Sequence, residues 1–348
     1  MSYTNGLDKP SDYFNTVLYT GNGTARNITT GLTTTDWVWI KRRDGTANHR
    51  LTDVVRGATN MLSSNNTNAT QTHAQTVTAF GTNTFSLGTD SGSYDVNTNS
   101  QTYASWNWSA GGSASSNTDG SITSTVSANT TAGFSIVSYT GNETVSTIGH
   151  GLGVTPSMII VKGRIAARNW IVGHHTQGWT KSAMLDETNA FSSQTHWNNT
   201  APTSSVFTIE GGSNSNVNTN NAGYIAYCFA EKKGYSKFGS YTGNGNADGT
   251  FVYTGFKPAF FLCKDTDNSN DWVMFDNKRD SHNVVAEYLR PNLSNAASSS
   301  TNYMDFTSNG IKHRVNDTWN NGSGRNYIFM AFASNPFVTS TGIPTTAR

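Results

Sequence analysis

His174 and His175, together with His150 or His196, have the residue types of a metal centre. Metal sites usually announce themselves by histidines at helical i, i+4 spacing or by paired cysteines. Neither spacing surrounds these histidines, and only His49 lies near an equivalent place elsewhere in the chain. They read as surface or turn histidines. Asp265-x-Asp267-x-Ser269-x-Asp271, with Asp276 at the twelfth position, resembles a calcium-binding loop. Asn270 stands where that loop needs glycine, and Asp276 where it needs a bidentate Glu, so a solvated hairpin loop is the better reading. A glycosidase requires two carboxylates facing one cleft, whereas Asp186-Glu187, Glu210 and Glu287 are scattered. No Gly-x-Ser-x-Gly elbow occurs. The expectation is therefore no catalytic residue, no metal ligand set and no cofactor: a non-enzyme.

Aromatic side chains offer a different chemistry. Nine tryptophans and fourteen tyrosines could stack on sugar rings while Asn and Thr supply hydrogen bonds. Most lie on apolar strand-like runs, where core packing accounts for them. Trp170, Trp179, Trp197 and Trp319 fall near loops and are the candidate surface contacts. Arg42-Arg43 reads as a solvated hairpin end. Cys228 and Cys263 lie inside apolar runs and read as small buried hydrophobes; two cysteines make no disulfide framework.

The elements that position these residues repeat. Tyr19-Thr20-Gly21-Asn22-Gly23 recurs as Tyr139-Thr140-Gly141-Asn142-Glu143 and as Tyr241-Thr242-Gly243-Asn244-Gly245. A lysine closing an apolar run follows each tyrosine by 22, 23 and 23 residues: Lys41, Lys162 and Lys264. An aromatic run opens 84, 85 and 86 residues after it, at Tyr103, Tyr224 and Tyr327. Such phasing predicts three tandem copies of one fold, with boundaries at 1–115, 116–234 and 235–348. Short alternating runs, glycine turns and no sustained 3.6-residue period predict all-β, antiparallel sandwiches of jelly-roll or lectin-like kind. Residues 284–289 are the one stretch that could turn as a helix. Gly21, Gly141 and Gly243 are expected at turn positions of positive φ. The Gly/Ser/Ala/Asn-rich stretch 110–117 is expected to be a flexible, accessible connection, and 121–127 to add a strand.

Composition excludes several roles. The chain has 348 residues, a net charge of +1 and only 13% charged residues. Nucleic-acid binding through phosphate neutralisation needs a basic face that this balance lacks. No run approaches the roughly 18 apolar residues of a membrane span. The opening Met1–Asn5 has neither the basic nor the apolar part of a signal peptide, so none is expected.

Particular stretches resemble a known family. The lead-in Gly6-Leu7-Asp8-Lys9-Pro10-Ser11-Asp12-Tyr13-Phe14, the stretch 121–137, the repeated Tyr-Thr-Gly-Asn … Gly-His-Gly-Leu-Gly … Ile-Ile-Val-Lys unit, Ala331-Phe332-Ala333-Ser334-Asn335-Pro336-Phe337 and the ending 344–348 are similar to tail-fibre-like and virion structural proteins of marine bacteriophages. The resemblance implies β-sandwich modules on the surface of a phage particle. Its expected role is a tail-associated or fibre-like structural protein aiding host attachment; the alternative is a capsid decoration protein, with a carbohydrate-active enzyme less favoured. Expected partners are other virion proteins, copies of itself and host cell-surface glycan, with no nucleic acid and no membrane insertion.

Overall fold

The computed structural model describes residues 7, 9–90, 92, 94–212, 215–299, 301–335, 337–338 and 344–345. Gly6, Asp8, Pro336 and 346–348, which carry part of the resemblance, lie outside the described residues. Everything regular among them is β, apart from two single 3-10 turns, Pro10–Asp12 and His175–Gln177.

The same sheet order appears three times. In the first segment Phe14–Thr20 pairs with Thr102–Trp108, which pairs with Trp37–Arg42, which pairs with Arg50–Asp53. In the second the sequence is Phe134–Thr140, Gly223–Phe229, Met158–Gly163 and Trp170–His174. In the third it is Ser236–Thr242, Asn326–Ala333, Pro258–Asp265 and Val273–Asp276. All these pairings are antiparallel. Each large sheet is faced by a small one: Arg26–Thr29, Thr84–Leu87 and Val77–Phe80; then Ser146–Gly149 and Val206–Ile209; then Phe251–Tyr253, Gly310–His313 and Met304–Thr307.

Alternation along the third strand of each segment explains the arrangement. Val38 and Ile40 face the small sheet of their own segment, as do Ile159 with Val161 and Phe261 with Cys263. The residues between them point the other way. Trp37, Trp39, Met158, Ile160, Phe260 and Leu262 all enter one common core, joined by Trp106, Trp108, Tyr227, Phe229, Met330 and Phe332. Both faces of each large sheet are thus buried, which is why these strands read as continuous apolar runs instead of alternating ones. At the centre Trp37 stacks on Tyr227 at 4.3 Å and Phe14 on Phe332 at 4.9 Å, each pair joining two segments. Burying one such ring contributes on the order of 1.5–3 kcal/mol.

The repeated tyrosine begins a recurring corner. Tyr19 lies opposite Tyr103 in register and stacks on it at 5.1 Å; Tyr139–Tyr224 and Tyr241–Tyr327 do the same at 5.2 and 5.0 Å. The first tyrosine of each pair donates its hydroxyl to a carbonyl, of Val96, Val217 and Asn320. The second accepts from a backbone N–H, of Thr98, Thr219 and Gly322. Asn97, Asn218 and Asn321 complete the corner by receiving the amides of Asn22, Asn142 and Asn244.

Three expectations need correction. Gly21, Gly141 and Gly243 do follow the strand, but their φ is not positive; the left-handed residues come two later, at Gly23, Glu143 and Gly245. Glycine is required because the chain passes so close that a Cβ would lie 2.2 Å from the Thr98 carbonyl oxygen, 2.4 Å from that of Thr219 and 2.4 Å from that of Gly322. The stretch 110–117 is ordered: Asp36 Oδ2 accepts the amides of Ala110 and Gly112, and Ser115–Asn117 pairs with Ser124–Asn129. Residues 284–289 are not helical, because Val285, Tyr288 and Leu289 bridge to Met304, Ser298 and Met274.

Gly141→Ala is expected to cost about 1–3 kcal/mol through overpacking against the Thr219 carbonyl, read as a lower urea midpoint with an unchanged m-value. The shared core predicts a second outcome. Full-length protein nicked by protease within the exposed stretch 113–119 stays one particle on size exclusion, whereas 116–234 produced alone, with Phe134, Tyr227 and Phe229 uncovered, aggregates or stays unfolded.

Candidate functional site

The residues that hold the three segments together recur at fixed offsets from the buried lysines. Two residues after each lysine, a carbonyl accepts a backbone N–H from a neighbouring segment: Arg43 from Ala297, Arg164 from Thr70, Thr266 from Phe191. Six residues after it, a backbone N–H donates to a carbonyl three residues before that partner: Ala47 to Ser294, Arg168 to Thr67, Asn270 to Thr188. The first segment's hairpin clasps the third segment, the second's clasps the first and the third's clasps the second, so the contacts close into a ring.

Lys41, Lys162 and Lys264 sit under these hairpins with no exposed surface. Lys162 Nζ donates to Thr67 O at 2.7 Å and Arg168 O at 2.5 Å. Lys264 Nζ reaches Asp265 O at 2.8 Å and Thr188 O at 3.1 Å, and Lys41 Nζ reaches Arg42 O at 2.6 Å and Gly45 O at 3.4 Å. Burial pushes all three down to about 8. Eight residues after the lysine, Trp170 and Trp272 donate their indole N–H to Ser63 O and Met184 O. The first segment places His49 there, with Nε2 facing Arg290 O at 3.1 Å. Trp39 donates to its Nδ1, so His49 is the neutral Nε2–H tautomer and copies the tryptophan's donor. Its equivalence is to tryptophan, not to another histidine.

Twelve and fifteen residues after the lysine come Asp53 with Arg56, and Asp276 with Arg279, all four side chains sealed from water. Asp53 Oδ2 accepts Arg56 Nε at 2.6 Å and the Tyr227 hydroxyl of the second segment at 2.8 Å. Asp276 Oδ2 accepts Arg279 Nε at 2.5 Å and the Trp106 indole of the first segment at 3.0 Å. At the remaining junction the three positions are His174, Gln177 and Met330. Carboxylate, guanidinium and aromatic donor are all absent there, and burial holds His174 neutral, pushed down to about 3.

The sequence candidates are distributed among such structural tasks. His150 Nδ1 accepts the Leu152 amide and His196 Nδ1 faces Ser182 Oγ at 2.8 Å, while His175 Nε2 faces Phe238 O at 2.9 Å. Asp265 is buried and receives Asn270 Nδ2 at 2.7 Å and Arg325 Nη1 at 2.9 Å, together with the Asp267 and Asn268 amides. Asp267 turns instead to Asn326, and Asp271 to Asn292, so the acidic residues diverge. Among the described residues no three His, Cys, Asp or Glu side chains group to hold a metal ion. Asp186, raised to about 6 by burial, accepts the Trp170 amide at 2.9 Å and closes that strand. Glu210 receives Ser215 Oγ. Arg43 is not a solvated hairpin end: it forms a two-pronged pair with Glu287 of the third segment at 2.9 and 2.8 Å.

Trp170, Trp179 and Trp197 are not surface contacts either. Trp170 lies in the common core, and Trp179 packs edge-on against Trp197 at 5.3 Å over Gly173. Only Trp319 keeps partial exposure, with the Arg290 guanidinium 3.7 Å from its ring centroid. Cys228 and Cys263 are buried and free.

Residues 9–336 match the family described as Domain of unknown function (DUF7483). The chain belongs to that family. Its single unit spans all three segments, as does the ring. Neither the curated proteins nor the solved structures contain a significant match.

Asp276→Ala leaves Arg279 buried and unpaired and is expected to cost about 3–5 kcal/mol. Tyr227→Phe keeps the Asp53–Arg56 pair and removes one donor, about 1–2 kcal/mol by urea unfolding. The lysines set a pH dependence. Their folded value of about 8 lies below the ordinary 10.5, so between those values the unfolded chain holds more protons and stability rises with pH. Tyr19, Tyr139 and Tyr241, raised well above 10 by burial, act oppositely only beyond that pH. Cys228 and Cys263, whose thiols burial holds well above 9, oppose the climb above that pH. The urea midpoint should therefore climb from pH 8 to 9, and Lys41→Met should flatten the climb.

Proposed function

We propose that the protein is a non-enzymatic structural protein of the bacteriophage virion surface, tail-associated or fibre-like, contributing to host attachment. The observation that carries this reading is the ring itself. The histidines, carboxylates and aromatics that could serve a reaction are engaged either in bracing one segment, as His150, His196, Asp186 and Asp265 are, or in joining two, as His49, His175, Glu287 and Asp53 are. Loops and outer sheet faces remain for contact. A chain closed through a doubly buried core suits a part that must keep its shape on a particle. Other virion proteins and further copies of the chain are its partners in this reading. A capsid decoration protein is the second reading. The three-fold recurrence of the backbone clasps favours it, since a body of such internal symmetry matches a site of three-fold symmetry.

Labelling the protein with gold-tagged antibody on intact virions and viewing them by electron microscopy tests the proposal. Label on the tail supports the first reading, label over the head the second, and unlabelled particles overturn both. With a net charge of +1, its attachment cannot depend on long-range attraction. It is expected to stay on virions through washes in about 1 M salt, where screening acts within roughly 3 Å, and stripping at moderate salt would contradict that.

A further inference from the structure

Phe251 and Tyr253 are 45% and 62% exposed in a protein that seals nearly all its large aromatics from water. They stand two residues apart on one strand, so they share a face, and Val252 between them enters the core. Across the ladder Phe251 lies opposite Lys312 and Tyr253 opposite Gly310. A Cβ at Gly310 would come within 2.8 Å of Phe251 Cζ, and one at Gly255 within 3.5 Å of the Tyr253 hydroxyl. Glycine at 310 thus leaves room for the Phe251 ring across the neighbouring strand, while a Cβ at Gly255 would make only ordinary contact with the Tyr253 ring.

The fold does not require these rings. Matching the small sheets by their inward residues Ile28, Ile148 and Val252 puts the exposed Asn27 and Thr29 at the same two outward positions of the first sheet, while in the second Thr147 and the buried Gly149 hold them beneath the preceding chain. The equivalent sheets form without an aromatic there. Two aromatic rings held side by side in water oppose solubility, and the first small sheet forms without any ring at these positions; an aromatic body with one polar handle is what a recognition surface presents.

We infer that this outer face is a saccharide platform whose ligand is a neutral glycan stacked on Phe251 and Tyr253, an inference that rests on the attachment reading above. The charges nearby are already paired. Lys312 Nζ is 2.7 Å from Asp248 and 2.6 Å from Gly249 O, and Arg314 is paired with Asp305. Such a patch attracts neither polyanion nor polycation, yet its fixed donors and acceptors can meet hydroxyls. The electron-rich ring faces match the apolar, slightly positive C–H face of a sugar. Size decides against a protein. Three strands about 4.8 Å apart and three residues of about 3.4 Å give on the order of 150 Å², far below the roughly 800 Å² per partner of a stable protein interface. One or two sugar rings fit.

The test uses the full-length chain, with D-glucose, D-galactose, N-acetyl-D-glucosamine and their short β-1,4 oligomers as probes in saturation-transfer NMR. Transfer to at least one probe is expected. The double variant Phe251→Ala, Tyr253→Ala should weaken it about tenfold or more, the equivalent of losing one to two stacking contacts, while Tyr253→Phe retains it. Both residues are exposed, so melting curves of the variants should overlay the parent. No transfer from any probe, or equal transfer to the double variant, overturns the inference. So does a self-association in sedimentation that the double variant abolishes. Binding is read without virions, so failure here leaves the virion reading standing, and unlabelled virions leave the platform standing.

Discussion

Trp37 and Val38 are neighbours in sequence, point to opposite faces of one strand, and are both closed off from water. The same holds for Met158 with Ile159 and for Phe260 with Phe261. One face is covered by the segment's own small sheet. The other has no cover within the segment, and leaving rings such as Trp37, Trp108 and Tyr227 in water would forfeit a few kcal/mol for each. Three large sheets that turn their uncovered faces toward one another satisfy all of them together. The ring, the clasped hairpins and the buried lysines follow from that closure, because each hairpin end is carried into a neighbour where its carbonyls and amides must find partners.

Polar groups inside this interior cost energy that an apolar substitute would not, and their placement shows what they provide instead. Apolar contact at the common core is undirected, so sheets could slide past one another at little cost. A carboxylate fixed by its own arginine and offered to a single tyrosine or indole N–H admits one register. Two junctions use that device, at Asp53–Tyr227 and Asp276–Trp106. The third has His174 with Met330 in the corresponding positions and relies on other contacts, including His175 to the Phe238 carbonyl. Gln177 at the position of the arginines is uncharged and half-buried, so the neutral His174 has no charge to balance.

Much of this was legible in the sequence, for physical reasons. The lysine after each apolar run and the tyrosine phase are set by backbone geometry, which each segment must obey, so sheet class and strand positions could be read directly. Burial on both faces also left a trace in Trp-Val-Trp-Ile, Met-Ile-Ile-Val and Phe-Phe-Leu-Cys, which do not alternate. What that trace cannot say is which neighbour covers the second face, because the covering strand belongs to another segment, as the strand of Tyr227 does for Trp37. Trp170 looked available because it lies beside a loop, yet that loop is a clasp; Trp197 also lies beside a loop, yet its ring turns inward under Trp179. Gly141 illustrates another limit: glycine in all three copies marked a backbone demand, but close approach and positive φ leave the same letter. His49 was obscured because one imidazole nitrogen can stand in for an indole N–H only when the fold supplies a second donor, here Trp39.

The three-fold constraint ends at the inner sheets, and sequence variation follows that boundary. Inward positions keep an apolar character in every copy, as Ile28, Ile148 and Val252 do in the small sheets. Outward positions on those same strands carry the exposed Asn27 and Thr29 in the first copy and the exposed Phe251 and Tyr253 in the third, while in the second the preceding chain covers Thr147 and Gly149. The second copy also lays Ile122 alongside Ile148, an edge contact supplied by the chain that precedes it. A trimer of identical chains must present the same outer face three times. One chain folded into three equivalent parts holds the same interior geometry while leaving each outer face free to change. A contact patch can then develop on the third copy without disturbing the tyrosine corners, the buried lysines or the clasps that all three share.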